Sequence, residues 1–89
     1  MIDLKIKVTG KVQGVWFRAR TKEEADKLSL NGFVKNLDDG SVYLEVSGEP
    51  GKEYKLVQWL PNGSELSEVE QVCIKKNNIT YKDGFVIKR

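Results

Sequence analysis

Phe33-Val34-Lys35-Asn36-Leu37-Asp38-Asp39-Gly40-Ser41-Val42-Tyr43-Leu44-Glu45-Val46 decides the fold. Two runs rich in β-branched and aromatic residues, 33–37 and 41–46, flank a short turn. Asp-Gly between such runs is a strong hairpin signal, because glycine takes the positive φ that tight hairpin turns require. Asp38 and Asp39 read as turn formers rather than as a catalytic carboxylate pair. The stretch therefore predicts two antiparallel strands at the centre of the chain.

The pattern repeats in mirror order on either side. Upstream, Ile2-Asp3-Leu4-Lys5-Ile6-Lys7-Val8 alternates apolar and polar residues, which predicts a strand with Ile2, Leu4, Ile6 and Val8 facing the core. Thr21-Lys22-Glu23-Glu24 has the form of a capping box, with Thr21 as N-cap. Ala25 and Leu28 then face inward, and Asn31-Gly32 supplies a stop, so a helix is expected over about 21–31. The acidic cluster Glu23, Glu24 and Asp26 reads as a solvated helix face, not as a divalent-ion site. Downstream, Pro50 suits a first helical position. Tyr54, Val57 and Leu60, with Leu56 and Trp59 beside them, predict a second helix over about 51–60, its aromatics in the core. Val69 to Lys76 reads as a fourth strand, with Val69, Gln71 and Cys73 on one face and Glu70, Val72 and Ile74 on the other. Ile79 to Asp83 is ambiguous, and Gly84 to Arg89 reads as a short last strand.

Strand, helix, strand, strand, helix, strand describes two split βαβ units joined by the central hairpin. The expected fold is a ferredoxin-like α+β sandwich, βαββαβ. Two helices cover one face of a mostly antiparallel sheet of order 4-1-3-2, with a short extra C-terminal strand. Residues 1–89 are expected to form one domain with a modest core. In such a sheet the loop after the first strand can approach the central hairpin, and so can meet Asn36.

That loop is Gly10-Lys11-Val12-Gln13-Gly14-Val15-Trp16-Phe17-Arg18. Two glycines allow backbone with positive φ, and successive N–H groups ahead of a helix can form an anion-binding concavity. Arg18 adds a permanent charge in a planar fork that matches phosphate oxygens. The local reading is a phosphate cradle, distinct from a P-loop because the Gly-Lys-Ser/Thr ending is missing. The same residues also fit a glycine-rich turn that binds nothing, with Arg18 paired to a helix carboxylate.

Composition narrows the chemistry. With 15 basic and 13 acidic residues the net charge is +2, which is too weak and too evenly spread to argue for nucleic acid. No histidine is present, which removes histidine bases, histidine metal sites and phosphohistidine chemistry together. The single cysteine, Cys73, excludes an intrachain disulfide and, within Val72-Cys73-Ile74, is expected to be a buried or half-buried structural thiol. No apolar run approaches a membrane span and the start lacks a signal-peptide h-region, so a cytoplasmic protein without a membrane partner is expected.

Two stretches resemble the acylphosphatase family. Residues 10–18 match its signature Gly-x-Val-Gln-Gly-Val-x-Phe/Tyr-Arg. Gly32-Phe33-Val34-Lys35-Asn36-Leu37-Asp38-Asp39-Gly40-Ser41-Val42 matches Gly-aromatic-Val-basic-Asn-x-x-Asp-Gly-x-Val. Leu28 to Gly32 and Phe85 to Arg89 also fit, so the resemblance spans essentially the whole chain. It implies hydrolysis of acyl phosphates to carboxylate and orthophosphate, with no cofactor and no metal. It makes Arg18 the phosphate-binding arginine, with loop N–H groups of Gln13, Gly14, Val15, Trp16 and Phe17 completing the cradle. It makes Asn36 the residue that positions the attacking water. The implied partners are a small-molecule acyl phosphate, or phosphate itself in the loop, and a monomer is expected.

Three departures stand out. Leu60-Pro61-Asn62-Gly63-Ser64 replaces a Gly-Pro-rich turn, Leu37 follows Asn36 where a small hydroxyl residue is frequent, and 64–83 is the least family-like region. Trp16 fills the variable position of the first signature and is expected to shape the mouth of the site or to pack on the first helix. With little chain left to enclose an acyl group, weak discrimination among acyl groups is expected. Two other readings fit the fold: a phosphate- or carbamoyl-phosphate-binding module without turnover, and an RNA-binding sheet. The second is disfavoured because Ser41 to Val46 carries one aromatic and an acid rather than a basic-aromatic pattern.

Overall fold

The computed structural model describes residues 1–88; Arg89, the end of the expected last strand, lies outside the described residues. The elements are β1 (Ile2–Lys11), α1 (Phe17–Lys27), β2 (Asn31–Asn36), β3 (Val42–Gly48), α2 (Lys52–Trp59), β4 (Glu68–Lys76) and β5 (Phe85–Ile87). One five-stranded sheet has the order β4-β1-β3-β2-β5. The four expected strands take the expected order 4-1-3-2, all pairing antiparallel, and β5 adds in parallel on the outer edge of β2. This is the ferredoxin-like α+β arrangement, with two helices packed on a mixed sheet. None of the described helices is long and apolar enough to cross a membrane.

The period-2 pattern sets the core. Ile6 and Val8 of β1 face Leu44 and Val42 of β3, and Val34 of β2 faces Leu44 from the other side. These residues, with Val46, Leu30, Ala25, Phe17, Leu56, Leu60 and Phe85, form the buried apolar cluster beneath the helices. Partners directly opposite on antiparallel strands lie on the same sheet face, so a single register fixes this layer. Asn36 follows Val34 by two residues and pairs with Val42, so it stands on the helix-covered face at the end of β2.

The N-cap of α1 lies five residues earlier than the capping box predicts. Thr21 is not an N-cap. It is fully buried in the second turn, and its hydroxyl donates to the Phe17 carbonyl at 2.8 Å. Phe17, Thr21 and Ala25, spaced by four, form the buried stripe. Packing of that stripe outweighs the local preference of threonine for a cap. The true N-cap is Trp16, in left-handed backbone with φ 65° and without a side-chain cap. The end differs as well. Ser29 takes the left-handed position (φ 55°), Leu30 N–H donates to the Ala25 carbonyl and Ser29 N–H to that of Asp26. This is a Schellman closure, sealed by contact between buried apolar residues. Gly32 is instead inside β2, where a Cβ would run into the Glu45 backbone.

Smaller corrections follow from packing. Helix α2 is capped by Gly51 at φ 96°, so Pro50 lies in the preceding turn rather than at the first helical position. Leu56 and Leu60 bury the helix and Trp59 packs on Phe17, their ring centroids 6.0 Å apart, but Tyr54 is 59% exposed and outside the core. A bulge at Thr9/Gly10 skips Glu70 in the pairing of β1 with β4. The skip breaks the simple alternation on β4, so Val69 and Val72 both pack against the core, and Cys73 is exposed beside Lys7 on the open face. The expected buried thiol is therefore a surface one. Ile79 to Asp83 forms no strand. It crosses the open face, where Tyr81 OH and Asn77 Nδ2 donate to Glu45, each at 2.7 Å, alongside Tyr43 OH.

Candidate active site

The segment between β1 and α1 is Val12 to Trp16. Val12 and Val15 are buried in the core, pinning the loop from below, while Gly14 and Trp16 are exposed. Gly14 (φ 72°), between the two valine anchors, and Trp16 (φ 65°), just after the second, both take left-handed backbone, which curls the chain. Among the described residues, no acceptor takes the N–H of Gln13, Gly14, Val15 or Trp16. Phe17 and Arg18 are the first and second residues of α1, and the first N–H groups of a helix have no intrahelical partner. With no side-chain cap and no acid in the first turn, the loop and helix end present a run of free donors at the positive end of the helix dipole.

Arg18 lies on α1 rather than in the loop. Its guanidinium Nη1 makes a long contact of 3.4 Å to the Lys88 carbonyl just beyond β5, and β5 is itself held by Lys88 N–H donating to Val34. Val12, Gly14, Trp16, Phe17, Arg18, Ala19 and Ile87 line a cleft of about 330 Å³. Arg18 is the one charged residue of that lining, and Trp16, Val12 and Ile87 supply apolar surface. Trp16 is 74% exposed and also borders a second depression over Val15, Ala19, Ser64 and Leu66, so its ring stands at the mouth and does not pack flat on α1.

Asn36 is not part of the cleft lining. The link runs through Gln13, whose side-chain amide donates to the carbonyls of Leu37 at 2.7 Å and of Ser41 at 2.8 Å. Those carbonyls belong to the turn that begins right after Asn36, so the loop and the central hairpin meet as the topology predicts. Asn36 Oδ1 is buried and has no protein hydrogen-bond partner, an uncommon state for a buried polar atom. The turn is braced from β1 as well. Lys7 Nζ lies 2.7 Å from Asp39, and Asp39 accepts from both the N–H and the hydroxyl of Ser41. The Lys7 hydrogen bond, followed by those from Ser41, holds the Asp39 carboxyl well below the usual carboxylate range.

Two contributors escape the sequence. The Gln13 side chain bonds the hairpin while its own N–H has no acceptor among the described residues, and nothing in Val-Gln-Gly separates those roles. Ser64, in the turn after α2, donates its hydroxyl to the Val15 carbonyl. Pro61-Asn62-Gly63-Ser64 reads as an ordinary turn, with no signal that it touches a loop nearly fifty residues upstream.

Residues 4–87 match the family model described as Acylphosphatase. The chain belongs to the acylphosphatase family. It is 43% identical over 88 residues to an acylphosphatase of Pseudomonas aeruginosa, a match that takes in 99% of this chain and 97% of that protein. The crystal structure of the acylphosphatase from Bacillus subtilis superposes with a TM-score of 0.95 at 36% identity, with each chain fully covered. The structure of an acylphosphatase from Coxiella burnetii gives 0.93 at 33% identity, over 98% of this chain and 92% of that one. Membership makes the chain a hydrolase of acyl phosphates, which are small-molecule substrates. An acylphosphatase needs a phosphate subsite, and the free donors of 13–17 beside Arg18 have the chemistry for one.

Proposed function

We propose that Arg18 and the N–H groups of Gln13, Gly14, Val15, Trp16 and Phe17 bind the phosphoryl group, and that Asn36 positions the water that attacks it. One observation carries this reading: the run of unpaired loop donors leads directly into an uncapped helix with an arginine at its second residue. Phosphoryl transfer needs positioning and stabilisation of charge on the equatorial oxygens more than covalent chemistry. The arginine fork and the amides supply that stabilisation. The unpartnered Oδ1 of Asn36 supports the other half, since an amide oxygen accepts a water O–H and fixes its direction.

The step balances without a protein base. The water oxygen bonds to phosphorus, and the bond from phosphorus to the acyl oxygen breaks. Its electron pair leaves as the carboxylate, and the water proton passes to a non-bridging phosphate oxygen. Carboxylate is a good leaving group, so strong general acid catalysis is dispensable, in keeping with a chain that contains no histidine. The same reading takes residues 1–89 as one domain acting as a cytoplasmic monomer, without a metal, a cofactor or a nucleic-acid partner, and with weak discrimination among acyl groups.

The test is benzoyl phosphate hydrolysis, in the presence of a chelator, by the wild type, Arg18→Ala and Asn36→Ala. The wild type turns over and both variants, still folded, lose activity by about a hundredfold or more. A folded wild type that binds phosphate but does not turn over would make this a binding module instead. Abolition of wild-type turnover by the chelator would remove the metal-free mechanism.

A further inference from the structure

The proposed cradle needs its amides aimed at one point, and buried apolar anchors cannot do that. Val12 and Val15 fix how deep the loop sits, but apolar contact is non-directional and leaves peptide planes free to rotate. We infer that Ser64 and Gln13 are positioning residues: Ser64 orients the Val15–Trp16 peptide, and Gln13 holds the loop at a fixed place relative to Asn36. The inference rests on the proposed site and extends it to two side chains that touch neither substrate nor water.

Ser64 acts through the geometry of the peptide group. In a trans peptide the carbonyl and the following N–H point in opposite directions in one plane. The Ser64 hydroxyl donates to the Val15 carbonyl, so the Trp16 N–H is turned away from Ser64, which borders the second depression and not the cleft that Arg18 lines. Ser64 itself is 5% exposed and firmly held. Its own carbonyl accepts from the N–H of Ser67 at 3.0 Å and from its hydroxyl at 2.8 Å. Its neighbour Gly63 lies so close to the Phe17 ring that a Cβ there would strike it. The turn after α2 is thus packed onto the start of α1 and delivers one hydroxyl to one carbonyl of the loop.

Gln13 acts on the other side. A primary amide has two N–H bonds in one plane, and here both are used, on Leu37 and Ser41. Two acceptors define the place and the tilt of the amide, where one would leave it free to swing. Leu37 also donates its N–H to Ser41 at 2.9 Å, which closes the hairpin around the same carbonyl. The distance between the cradle and the residue before Leu37 is therefore set by this clamp.

The two clamps predict different kinetic signatures. Ser64→Ala removes only the hydroxyl, so the Trp16 amide loses its aim. KM for benzoyl phosphate and the inhibition constant of orthophosphate both rise by about fivefold to tenfold, the scale of one hydrogen bond. Ser64→Thr, which restores a hydroxyl, recovers most of the loss. Gln13→Met keeps the volume and removes both donors. It lowers kcat by about tenfold with a smaller change in KM, because the cradle persists but no longer registers with Asn36. In ¹⁵N spectra, orthophosphate shifts the Trp16 amide of the wild type and shifts it markedly less in Ser64→Ala, a change that a purely structural role would not produce. If Ser64→Ala does not fold, Ser64→Cys, a weak donor of similar size, is read in the same way. Folded Ser64 and Gln13 variants with KM, kcat and phosphate inhibition within twofold of the wild type would overturn the inference. If Arg18→Ala and Asn36→Ala are also fully active, the proposed site itself fails; if they are inactive, only the clamps do.

Discussion

Lys7 Nζ lies 2.7 Å from a carboxylate oxygen of Asp39, so the first strand grips the turn that follows Asn36. Hydrogen bonds from Lys7 and then Ser41 lower the folded-state carboxyl below its unfolded value. A depressed carboxyl stabilises the fold above the unfolded pKa of about 4, and the benefit is lost as pH falls toward the folded value. Asp39→Asn is therefore less stable than the wild type at neutral pH, and the two converge in acid. Urea midpoints at pH 7, 4 and 2 check this. A constant difference across that range would mean that the pair contributes no charge-dependent stability.

Gly10 and Gly40 separate two uses of glycine that look alike in sequence. Both have positive φ, at 120° and 92°. At Gly10 a Cβ would run into the Glu68 carbonyl where β4 crosses the bulge, whereas at Gly40 it meets open space. Gly40→Ala costs only the left-handed penalty, about 1–2 kcal/mol. Gly10→Ala adds a backbone collision that neither strand can relieve without losing the bulge, and costs about 3 kcal/mol or more. Thermal or denaturant unfolding of the two variants gives the comparison, and equal losses would remove the collision argument.

The central hairpin and the alternation of β1 were legible because a single period of two decides which residues meet the core. The glycine-bracketed loop was legible as chemistry, since free amides and an arginine ahead of a helix imply an anion. The start of α1 was not. Thr21 has the local signature of a cap, and only the sheet beneath it makes Phe17, Thr21 and Ala25 one stripe. Cys73 departs from its expected burial for a related reason: a bulge two strand positions away changes which side of β4 meets solvent, and bulges leave no mark in a run such as Glu68 to Ile74. Ser64 and the Gln13 side chain were invisible because their partners are 49 and 24 to 28 residues away.

The rate of hydrolysis is expected to be flat from about pH 6 to about pH 8. Histidine is the side chain whose ordinary pKa falls in that window, and the chain has none. The thiol of Cys73 is on the open sheet face, away from the helix-covered side where Asn36 stands. If the water proton goes to the phosphate, no protein group has to titrate for turnover. Dependence of kcat on an enzyme group with a pKa near 7 would show that a base takes part and would end the substrate-assisted scheme.

Trp16 holds left-handed backbone that a bulky side chain adopts only at a cost, of order 1–3 kcal/mol. Its ring recovers little of this by burial, being 74% exposed with no aromatic partner among the described residues. Asparagine tolerates the same backbone because its short side chain bonds locally. Trp16→Asn is therefore expected to raise stability by about 0.5–1 kcal/mol, against the usual direction for replacing a large apolar residue. The residue then sits where it does for the cleft it borders with Arg18 and Ile87, and not for the fold. A loss of stability above about 1 kcal/mol in denaturant unfolding would show instead that the ring packs on its surroundings strongly enough to offset the strain, and would reassign it to the support of α1.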